Sequence, residues 1–591
     1  MYRLIIILSI LTSNICIAQN ITKIKVNSKS ERHSIERKQQ AEFEVRLTKD
    51  VYYNISVEQL GIDVVVYLKD EKNKILEQKD SPTGQKGIEK IVFSPNVSGK
   101  YIIAVKPLEE AENSDKGDYT ICTSTLSENL KKYSIKELQQ DFDFLKNAYL
   151  ETHVGLWYNS YTQFDSLCNV QNAKLRDQMT ALDFYKIVAP ITAFTKEGHC
   201  YISTSDGIND YFKQSGGYFP FLVKIINRKI YVLNDHEDLK TKGLMISKIN
   251  GLDAGTILSK FESIEPADGY NITSKEHWIE NSFAKYYRRF FEKTKSFKIE
   301  FVSATADNIT YNIPALTSKE YAIFYQKFIK ENTDYKFSKP SEFSLDTLKN
   351  LAKLTVNDLG SRNYKGGKKG FQKYLDEIFT TINSKHIKNL IIDIRKNEGG
   401  SQGMEDILLS YFSTKSYQKY KYVEIPSFSY SFLKYTDYKD EADILKKELS
   451  EEFYKAVDGR YLNKKGYYDG LPPSSIHFYG NVYILISGLT FSGGSEFASL
   501  AKNHSNAVFI GEETGGGYYG NTSGSFLKFT LPNTALPGRI PLCKFVLETQ
   551  NNSIPFGHGL SPDYEIRPTI QEYLNKQDVE MELAKAMIRE K

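Results

Sequence analysis

The chain has 591 residues, 40% of them hydrophobic and 13% aromatic, so it is globular rather than disordered and too long for a single hydrophobic core. We expect about two to four domains. Its 77 basic and 73 acidic residues leave a formal net charge of +4, which gives no chain-wide attraction to nucleic acid. The histidines show no metal-ligand spacing such as H-E-x-x-H, so we expect neither a metal nor another cofactor.

Residues 1–18 have the layout of a secretory signal peptide. Arg3 precedes a short apolar run at residues 4–11, and the small residue Ala18 stands at the cleavage point. The run is too short to span a bilayer, and the bulky residue before Cys16 argues against a lipoprotein signal. We therefore predict an exported protein, periplasmic or secreted, without a transmembrane anchor.

Residues 22–127 alternate apolar and polar side chains in short runs, for example at residues 43–47, 64–68 and 101–105. This period of two predicts strands with one buried face, and turn-rich breaks separate them, so we predict an antiparallel β-sandwich. The pattern GIDV at residues 61–64 followed by GDY at 117–119 resembles the jelly-roll domains appended to secreted bacterial peptidases. The fold alone does not specify the role of such a domain.

A helical cap is predicted over residues 133–205. Ser134 and Glu137 form a capping box, after which apolar residues recur at three and four positions up to Tyr149. The segment ends at residues 198–201, GHCY, where the chain turns into a strand. A lone histidine is most often a surface or packed residue, so His199 becomes a candidate only through its relation to the motifs that follow.

Residues 215–300 resemble a PDZ-like module. The match rests on residues 243–251, GLMISKING, which follow the pattern G-x-x-I-x-x-I-N-G. PDZ modules add an extended peptide as a strand at a sheet edge, which suits capture of a substrate's tail. The alternative is a degenerate module that only braces the active site.

An α/β core is predicted over residues 345–575. Its first unit is a buried strand at 390–394, followed by RKNEGG at 395–400 and a helix with an apolar face. An aromatic, lysine-rich insertion at 413–479 separates this unit from the second one. Paired glycines let the backbone approach a ligand closely.

The second unit contains two apolar runs, residues 482–486 and 507–510, with a helix-like stretch between them. This pattern predicts a βαβ unit. Between the first strand and the helix, residues 490–494 read TFSGG, and a serine in such a turn is held exposed at the helix start. Ser492 is therefore either a nucleophile or an ordinary N-cap.

Together these motifs resemble the serine peptidases that comprise the C-terminal processing peptidases and the tricorn core peptidases. The strand with Asp393, Arg395 and Asn397 before the Gly-Gly pair is similar to their hallmark, and TFSGG is similar to their T-x-S-(A/G)-(A/G) turn. GEETG at 511–515 and GLSPD at 559–563 are further matches. The resemblance covers about residues 133–570 and implies a superhelical α/β core of the ClpP/crotonase type.

The resemblance also implies roles for individual residues. Ser492 would be the nucleophile, and His199 stands where tricorn-type members carry the histidine that serves as general base. The N–H groups of Gly493 and of Gly399 or Gly400 would form the oxyanion hole.

Glu512 and Glu513 are the candidates for an acid that orients His199, since the late glutamate of the tricorn-type members has no clear counterpart near residues 557–559. Processing peptidases instead use a lysine base, but Gly517 stands at its position, and the nearest lysines, Lys528 and Lys544, fall in other segments.

The predicted function is therefore that of an exported serine peptidase acting on a polypeptide substrate. Ser495 is the fallback nucleophile, although it would lie inside the helix. The alternatives are an inactive, peptidase-like protein that binds peptides, and a hydrolase of non-peptide esters or amides that uses the same apparatus. The sequence does not specify the oligomeric state.

Overall fold

The computed structural model describes residues 21–590 except 83, 110–112, 128, 153–156, 304–306, 332–338, 465–468 and 551–552. The predicted signal peptide, residues 1–18, lies outside the described residues. The chain divides into two compact units, Met1–Asn129 and Leu130–Lys591. Within the described ranges, no helix is long and apolar enough to cross a membrane. The chain is multidomain and mixes helices with several sheets, as predicted.

The first unit consists of two sheets that share one apolar core. Its strands are β1 (Thr22–Lys23), β2 (Glu31–Glu36), β3 (Ala41–Leu47), β4 (Tyr53–Leu60), β5 (Val64–Asp70), β6 (Ile75–Lys79), β7 (Lys86–Phe93), β8 (Gly99–Pro107) and β9 (Lys116–Thr125). The sheet orders are β1-β3-β8-β5-β6 and β2-β9-β4-β7. In β3 and β4 every second residue is buried, which is the alternation read from the sequence.

The second unit begins with a mainly helical part. Its elements are β10 (Lys132–Tyr133), α1 (Ile135–Thr152), α2 (Tyr161–Asn172), β11 (Met179–Thr180), α3 (Ala181–Phe194), β12 (Tyr201–Ile202) and α4 (Asp206–Ser215). Capping boxes at Ser160 and Thr180 begin α2 and α3. The turn between α3 and β12 carries His199.

An antiparallel sheet with flanking helices follows. Its elements are β13 (Val223–Ile226), β14 (Lys229–Val232), β15 (Met245–Ile249), β16 (Leu252–Asp253), α5 (Ala254–Glu262), α6 (Thr273–Phe290), β17 (Ser296–Val302), β18 (Asn308–Pro314) and α7 (Ser318–Glu331). The strand order is β13-β14-β15-β17-β18, and β16 pairs with β15. The loop before α6 leads towards the site described below.

The rest of the chain supplies the central sheet and a second β-rich part. Its elements are β19 (Ser341–Asp346), β20 (Leu351–Val356), the 3₁₀ helix Ser361–Asn363, α8 (Gly367–Ser384), β21 (Asn389–Asp393), α9 (Met404–Ser410), β22 (Tyr420–Ile425), the 3₁₀ helix Leu433–Tyr435, α10 (Ala442–Glu452), β23 (Phe453–Lys455), β24 (Tyr461–Asn463), β25 (Asn481–Ile486), α11 (Gly493–His504), β26 (Val508–Gly511), β27 (Gly520–Ser523), β28 (Leu527–Thr530), β29 (Pro537–Ile540), β30 (Cys543–Leu547), β31 (Tyr564–Glu565), α12 (Ile570–Leu574) and α13 (Val579–Glu590).

The central sheet has the order β19-β20-β21-β25-β26-β31 and is parallel from β20 to β31. All of β21 is buried, because one face of the sheet packs into the main core and the other packs against α13. Asp393 pairs with Leu485, so the carboxyl ends of β21 and β25 lie side by side. The loops that follow these two strands therefore meet at one edge of the sheet.

Two further sheets belong to the second unit. One has the order β23-β24-β22-β30-β27 and joins strands of the insertion to later strands. The other has the order β12-β29-β28, in which Tyr201 pairs with Arg539. Because β12 begins two residues after His199, this pairing fixes the histidine turn relative to the rest of the second unit.

Candidate active site

Ser492 lies between β25 and α11 in a backbone conformation that serine rarely adopts. Its φ and ψ angles are 52° and −125°, and such a conformation costs about 1 to 3 kcal/mol for a residue with a Cβ atom. The hydroxyl makes no capping bond to α11, so Ser492 is not an ordinary helix cap. A strained strand-to-helix turn is the geometry that exposes a nucleophilic serine.

Hydrogen bonds from neighbouring loops hold this turn. The Thr490 hydroxyl donates to the Ile394 carbonyl at 3.0 Å, and the Phe491 N–H donates to the Asn397 carbonyl at 3.0 Å. The Gly515 N–H donates to the Thr490 carbonyl at 2.9 Å. The surrounding structure therefore compensates for the strain at Ser492.

The structure brings His199 to Ser492, although 293 residues separate them along the chain. The distance between His199 Nε2 and Ser492 Oγ is 3.0 Å, which is within hydrogen-bond reach. His199 is 7% exposed. Its backbone carbonyl accepts a hydrogen bond from Arg539 Nε at 3.1 Å, so β29 holds the histidine turn in place.

The surroundings keep His199 neutral. Burial, followed by the nearby charge of Arg539, lowers the pKa of His199 to about 3. The Thr522 backbone carbonyl lies near enough to the ring to raise this pKa, but Nδ1 has no partner at hydrogen-bond geometry among the described residues. A neutral ring with its proton on Nδ1 can accept the Ser492 proton at Nε2.

The glycines after β21 lie directly against the turn that carries Ser492. A Cβ atom on Gly399, whose φ is 103°, would lie 2.7 Å from Ser492 Cβ. The Gly399 N–H donates to the Asn397 side chain at 2.9 Å and is therefore already engaged. Neither the Gly400 N–H nor the Gly493 N–H donates a hydrogen bond within the described ranges. Of the candidate donors, Gly400 and Gly493 are thus available to an oxyanion.

We expect Gly400→Ala to lower kcat by about a hundredfold or more, as the loss of an oxyanion donor does. A Cβ atom there would lie 2.0 Å from the Leu359 carbonyl carbon, so the backbone and its N–H must move. Gly207→Ala is the control, because the space around Gly207 is open. Steady-state kinetics with circular dichroism tests this, and a folded Gly400→Ala variant with wild-type kcat would refute it.

Glu512 is engaged away from His199. Its Oε1 accepts hydrogen bonds from His277 Nε2 at 2.5 Å and from the Gly488 N–H at 2.8 Å. Burial works against ionisation, but His277 and Arg567 hold the pKa of Glu512 at about 2. Burial opposes a charge on His277, but Glu512 and Glu280 raise the pKa of His277 to about 9. Glu512 is therefore a charged partner of His277 in α6.

Glu513 also lies elsewhere. Its Oε1 accepts hydrogen bonds from the Gly559 N–H at 2.8 Å and from His558 Nδ1 at 3.2 Å. The structure thus corrects the suggestion that Glu512 or Glu513 orients His199, because both carboxylates are held by other partners.

The other candidates do not reach the reacting atoms. The Ser495 hydroxyl is buried in α11 and donates to the Ser492 carbonyl at 2.8 Å. The Lys544 ammonium lies over the Trp157 ring, 4.8 Å from its centroid. Lys528 is an exposed residue of β28. Neither lysine makes a hydrogen bond to Ser492 in the described part of the chain.

Asp393 and Arg395 have a structural role here. The Arg395 guanidinium pairs with Asp393 at 2.8 Å and with Asp578, just before α13, at 2.7 Å. The charge of Arg395 outweighs burial and lowers the pKa of Asp393. The Arg395 carbonyl also accepts a hydrogen bond from the Ser487 hydroxyl, which joins the loops after β21 and β25.

Sequence reasoning missed two residues that contact the histidine turn. Arg539 holds the His199 carbonyl, and the buried Asp268 accepts hydrogen bonds from the backbone N–H groups of Gly198 and Gly517. Neither residue stands in a motif, and nothing in the sequence relates them to His199. Among the described residues, no group of histidine, cysteine and acidic side chains is arranged to hold a metal ion.

Comparisons with known proteins give one family match and several solved structures of similar fold. Residues 351–566 match the family described as peptidase family S41. Mature CPAF is 13% identical, with a TM-score of 0.50 over 76% of this chain and 97% of that chain. CPAF complexed with lactacystin is 12% identical, with a TM-score of 0.51 over 77% and 99%. The likeness to CPAF shows a shared fold.

A pre-peptidase C-terminal domain of a collagenase from Bacillus anthracis is 17% identical, covering 18% of this chain and 95% of that one with a TM-score of 0.15. The search of curated proteins finds no match.

Proposed function

We propose that this chain, whose residues 351–566 match peptidase family S41, is an exported serine-type peptidase that cleaves polypeptides with Ser492 as nucleophile and His199 as general base. The observation that carries the proposal is the 3.0 Å contact between His199 Nε2 and Ser492 Oγ, made by a serine held at a positive φ.

In the acylation step, the neutral His199 takes the proton of Ser492 at Nε2 while Oγ bonds to the carbonyl carbon of the substrate. The electron pair of the carbonyl bond moves onto its oxygen, which accepts hydrogen bonds from the N–H groups of Gly400 and Gly493. When the oxyanion collapses, the C–N bond breaks. The protonated His199 then gives its proton to the leaving amine, and an acyl-enzyme remains.

Deacylation repeats these steps with water. His199 takes a proton from the water molecule as its oxygen adds to the acyl carbon, and the oxyanion occupies the same N–H groups. Collapse returns the proton to Ser492 Oγ and releases the new carboxyl group. The low pKa of His199 keeps its base form populated across the neutral range.

We propose the following domain layout for the chain. A jelly-roll-like β-sandwich spans 22–127, a helical cap ending in the His199 turn spans 133–205, and a PDZ-like module spans 215–300. A superhelical peptidase core spans 345–575, with the insertion at 413–479. The order of elements supports this layout, since two sheets sharing a core, a helical part, an antiparallel sheet with helices and a parallel sheet follow one another.

Export rests on the signal-peptide pattern of residues 1–18. N-terminal sequencing of the protein recovered from the cell envelope or the medium tests it. A mature N-terminus after Ala18 is expected, and an uncleaved cytoplasmic chain would contradict it.

Purified wild type and Ser492→Ala, incubated with unfolded casein and with small esters, test the activity. We expect wild type to cleave casein and the variant to be inactive. Casein binding without cleavage would indicate a peptide-binding protein, and turnover of esters alone would indicate a non-peptide hydrolase. Either result would refute the proposal.

A further inference from the structure

Asp268 is a buried carboxylate that holds two loops of the active site. It is 1% exposed and lies between α5 and α6. Its Oδ1 accepts a hydrogen bond from the Gly198 N–H at 2.8 Å, directly before His199. Its Oδ2 accepts one from the Gly517 N–H at 3.2 Å. Each oxygen therefore holds a different loop.

The loop that contains Gly517 packs against the nucleophile turn. The Gly515 and Gly516 N–H groups both donate to the Thr490 carbonyl, at 2.9 Å and 3.2 Å. A Cβ atom on Gly516 would lie 3.2 Å from the Ser492 nitrogen, so no space separates the loop from Ser492. A displacement of Gly517 is therefore transmitted to the nucleophile.

The residues after Asp268 anchor it to the same loops. The Gly269 N–H donates to the Lys196 carbonyl at 2.9 Å, close to the His199 turn. The Asn271 side chain donates to the Thr514 carbonyl at 2.8 Å, and the Thr273 hydroxyl donates to the Glu513 carbonyl at 3.0 Å. Residues 269–273 are therefore bonded both to the segment before His199 and to the loop that leads to Gly517.

The sheet that begins with β13 favours a module that braces the active site over one that captures a peptide at the edge of β13. The Ile225 N–H donates to Glu280 at 2.9 Å, and the Arg228 N–H donates to Glu276 at 3.0 Å. Both glutamates belong to α6. The Ile225 N–H lies in β13 and is already occupied, so it cannot pair with an added strand, and the Arg228 N–H holds the turn between β13 and β14. The contacts of α6 therefore serve to hold the module in place.

We propose that Asp268 is a positioning residue, whose ionised carboxylate fixes the distance between the His199 turn and the loop 515–517 and thereby sets the contact between His199 and Ser492. This inference rests on the proposed function, because it concerns the geometry of the same pair. Asp268 does not touch the reacting atoms and acts through the backbone of Gly198 and Gly517.

The charge state of Asp268 provides a readout specific to this role. Burial raises the pKa of Asp268 to about 7, the two N–H bonds oppose this shift, and the nearby Glu197 adds to it. Tyr158 also faces this carboxylate, and burial raises the pKa of Tyr158, so it stays neutral. Among the charged groups of this region, the Lys196 ammonium contacts the Tyr270 ring, 3.5 Å from its centroid.

A protonated carboxylic acid has fewer free acceptor positions than a carboxylate. Protonation of Asp268 therefore loosens the hold on one of its two loops. The kcat of wild type should be highest above about pH 7 and should fall as the pH drops through about 7. His199 does not cause this fall, because its pKa of about 3 keeps it neutral.

Asp268→Asn is the test variant, since its single side-chain oxygen replaces only one of the two acceptors. At about pH 8 we expect kcat to fall by about tenfold or more, with KM changed by less than about threefold, as for a misplaced catalytic group. The loss of kcat near pH 7 should disappear. Asp141→Asn is the matched control, because the buried Asp141 accepts the backbone N–H groups of Asn533 and Thr534 on its two oxygens in the same way. It should keep the wild-type pH profile.

A folded Asp268→Asn variant with wild-type kcat and an unchanged pH profile would overturn the inference. Should this variant not fold, Asp268→Glu decides, because its longer side chain keeps the charge but displaces the two N–H groups, and a wild-type kcat in this variant would also overturn the inference. Ser492→Ala in the same assay separates the two proposals. Its turnover would contradict the proposed function, whereas an inactive Ser492→Ala beside a fully active Asp268→Asn would contradict this inference alone.

Discussion

Ser492→Ala is expected to lower kcat for peptide hydrolysis by about 10⁴-fold or more while leaving the protein folded. The hydroxyl is the group that His199 contacts at 3.0 Å, and no other hydroxyl reaches that ring in the described residues. Its removal costs one hydrogen bond, so the free energy of unfolding should change by about 1 kcal/mol at most. Casein kinetics and urea denaturation measure the two effects.

Two further variants sharpen this prediction. Ser492→Gly should be equally inactive but more stable than wild type by about 1 kcal/mol, because glycine adopts the observed φ of 52° without strain. Ser495→Ala should keep most of its turnover, because the Ser495 hydroxyl bonds to the Ser492 carbonyl and not to His199. Turnover of Ser492→Ala within about tenfold of wild type would refute the nucleophile assignment.

His199→Ala should lower kcat by about 10⁴-fold, because no other base lies within hydrogen-bond reach of Ser492 Oγ among the described residues. His504→Gln is the matched control. His504 is 2% exposed and lies at the opposite end of α11 from Ser492, so its variant should keep the wild-type kcat if it folds.

Full turnover of His199→Ala would contradict the assignment of the base. The same conclusion follows if Lys544→Ala or Lys528→Ala loses activity with an intact fold. Burial lowers the pKa of Lys544, as a lysine base would require, but its ammonium lies over an aromatic ring and not at Ser492.

Local patterns in the sequence are enough to find the turn that carries Ser492. The buried run at 482–486 and the TFSGG turn predicted a strand and a helix with Ser492 between them, and the structure has β25 and α11 at these places. The Gly-Gly pair after β21 was likewise readable, since parallel strands place the loops at their carboxyl ends together. The strand, the turn and the helix start each depend on residues that lie close together in the chain, so a sequence pattern can show them.

The contacts that complete the site depend on distant segments. No pattern indicated that Asp268 would accept the N–H groups of Gly198 and Gly517, or that Arg539 would hold the His199 carbonyl. Glu512 was assigned to the wrong histidine, because the sequence does not show that α6 brings His277 within 2.5 Å of it. Such pairings are decided by tertiary packing and not by spacing along the chain.

Labelling with a fluorophosphonate probe, followed by mass spectrometry of the modified peptide, identifies the nucleophile directly, since the probe bonds covalently to an activated serine. We expect one adduct, on Ser492, in wild type, with none in Ser492→Ala and greatly slowed labelling in His199→Ala. An adduct on Ser495, or labelling that survives in Ser492→Ala, would contradict this expectation.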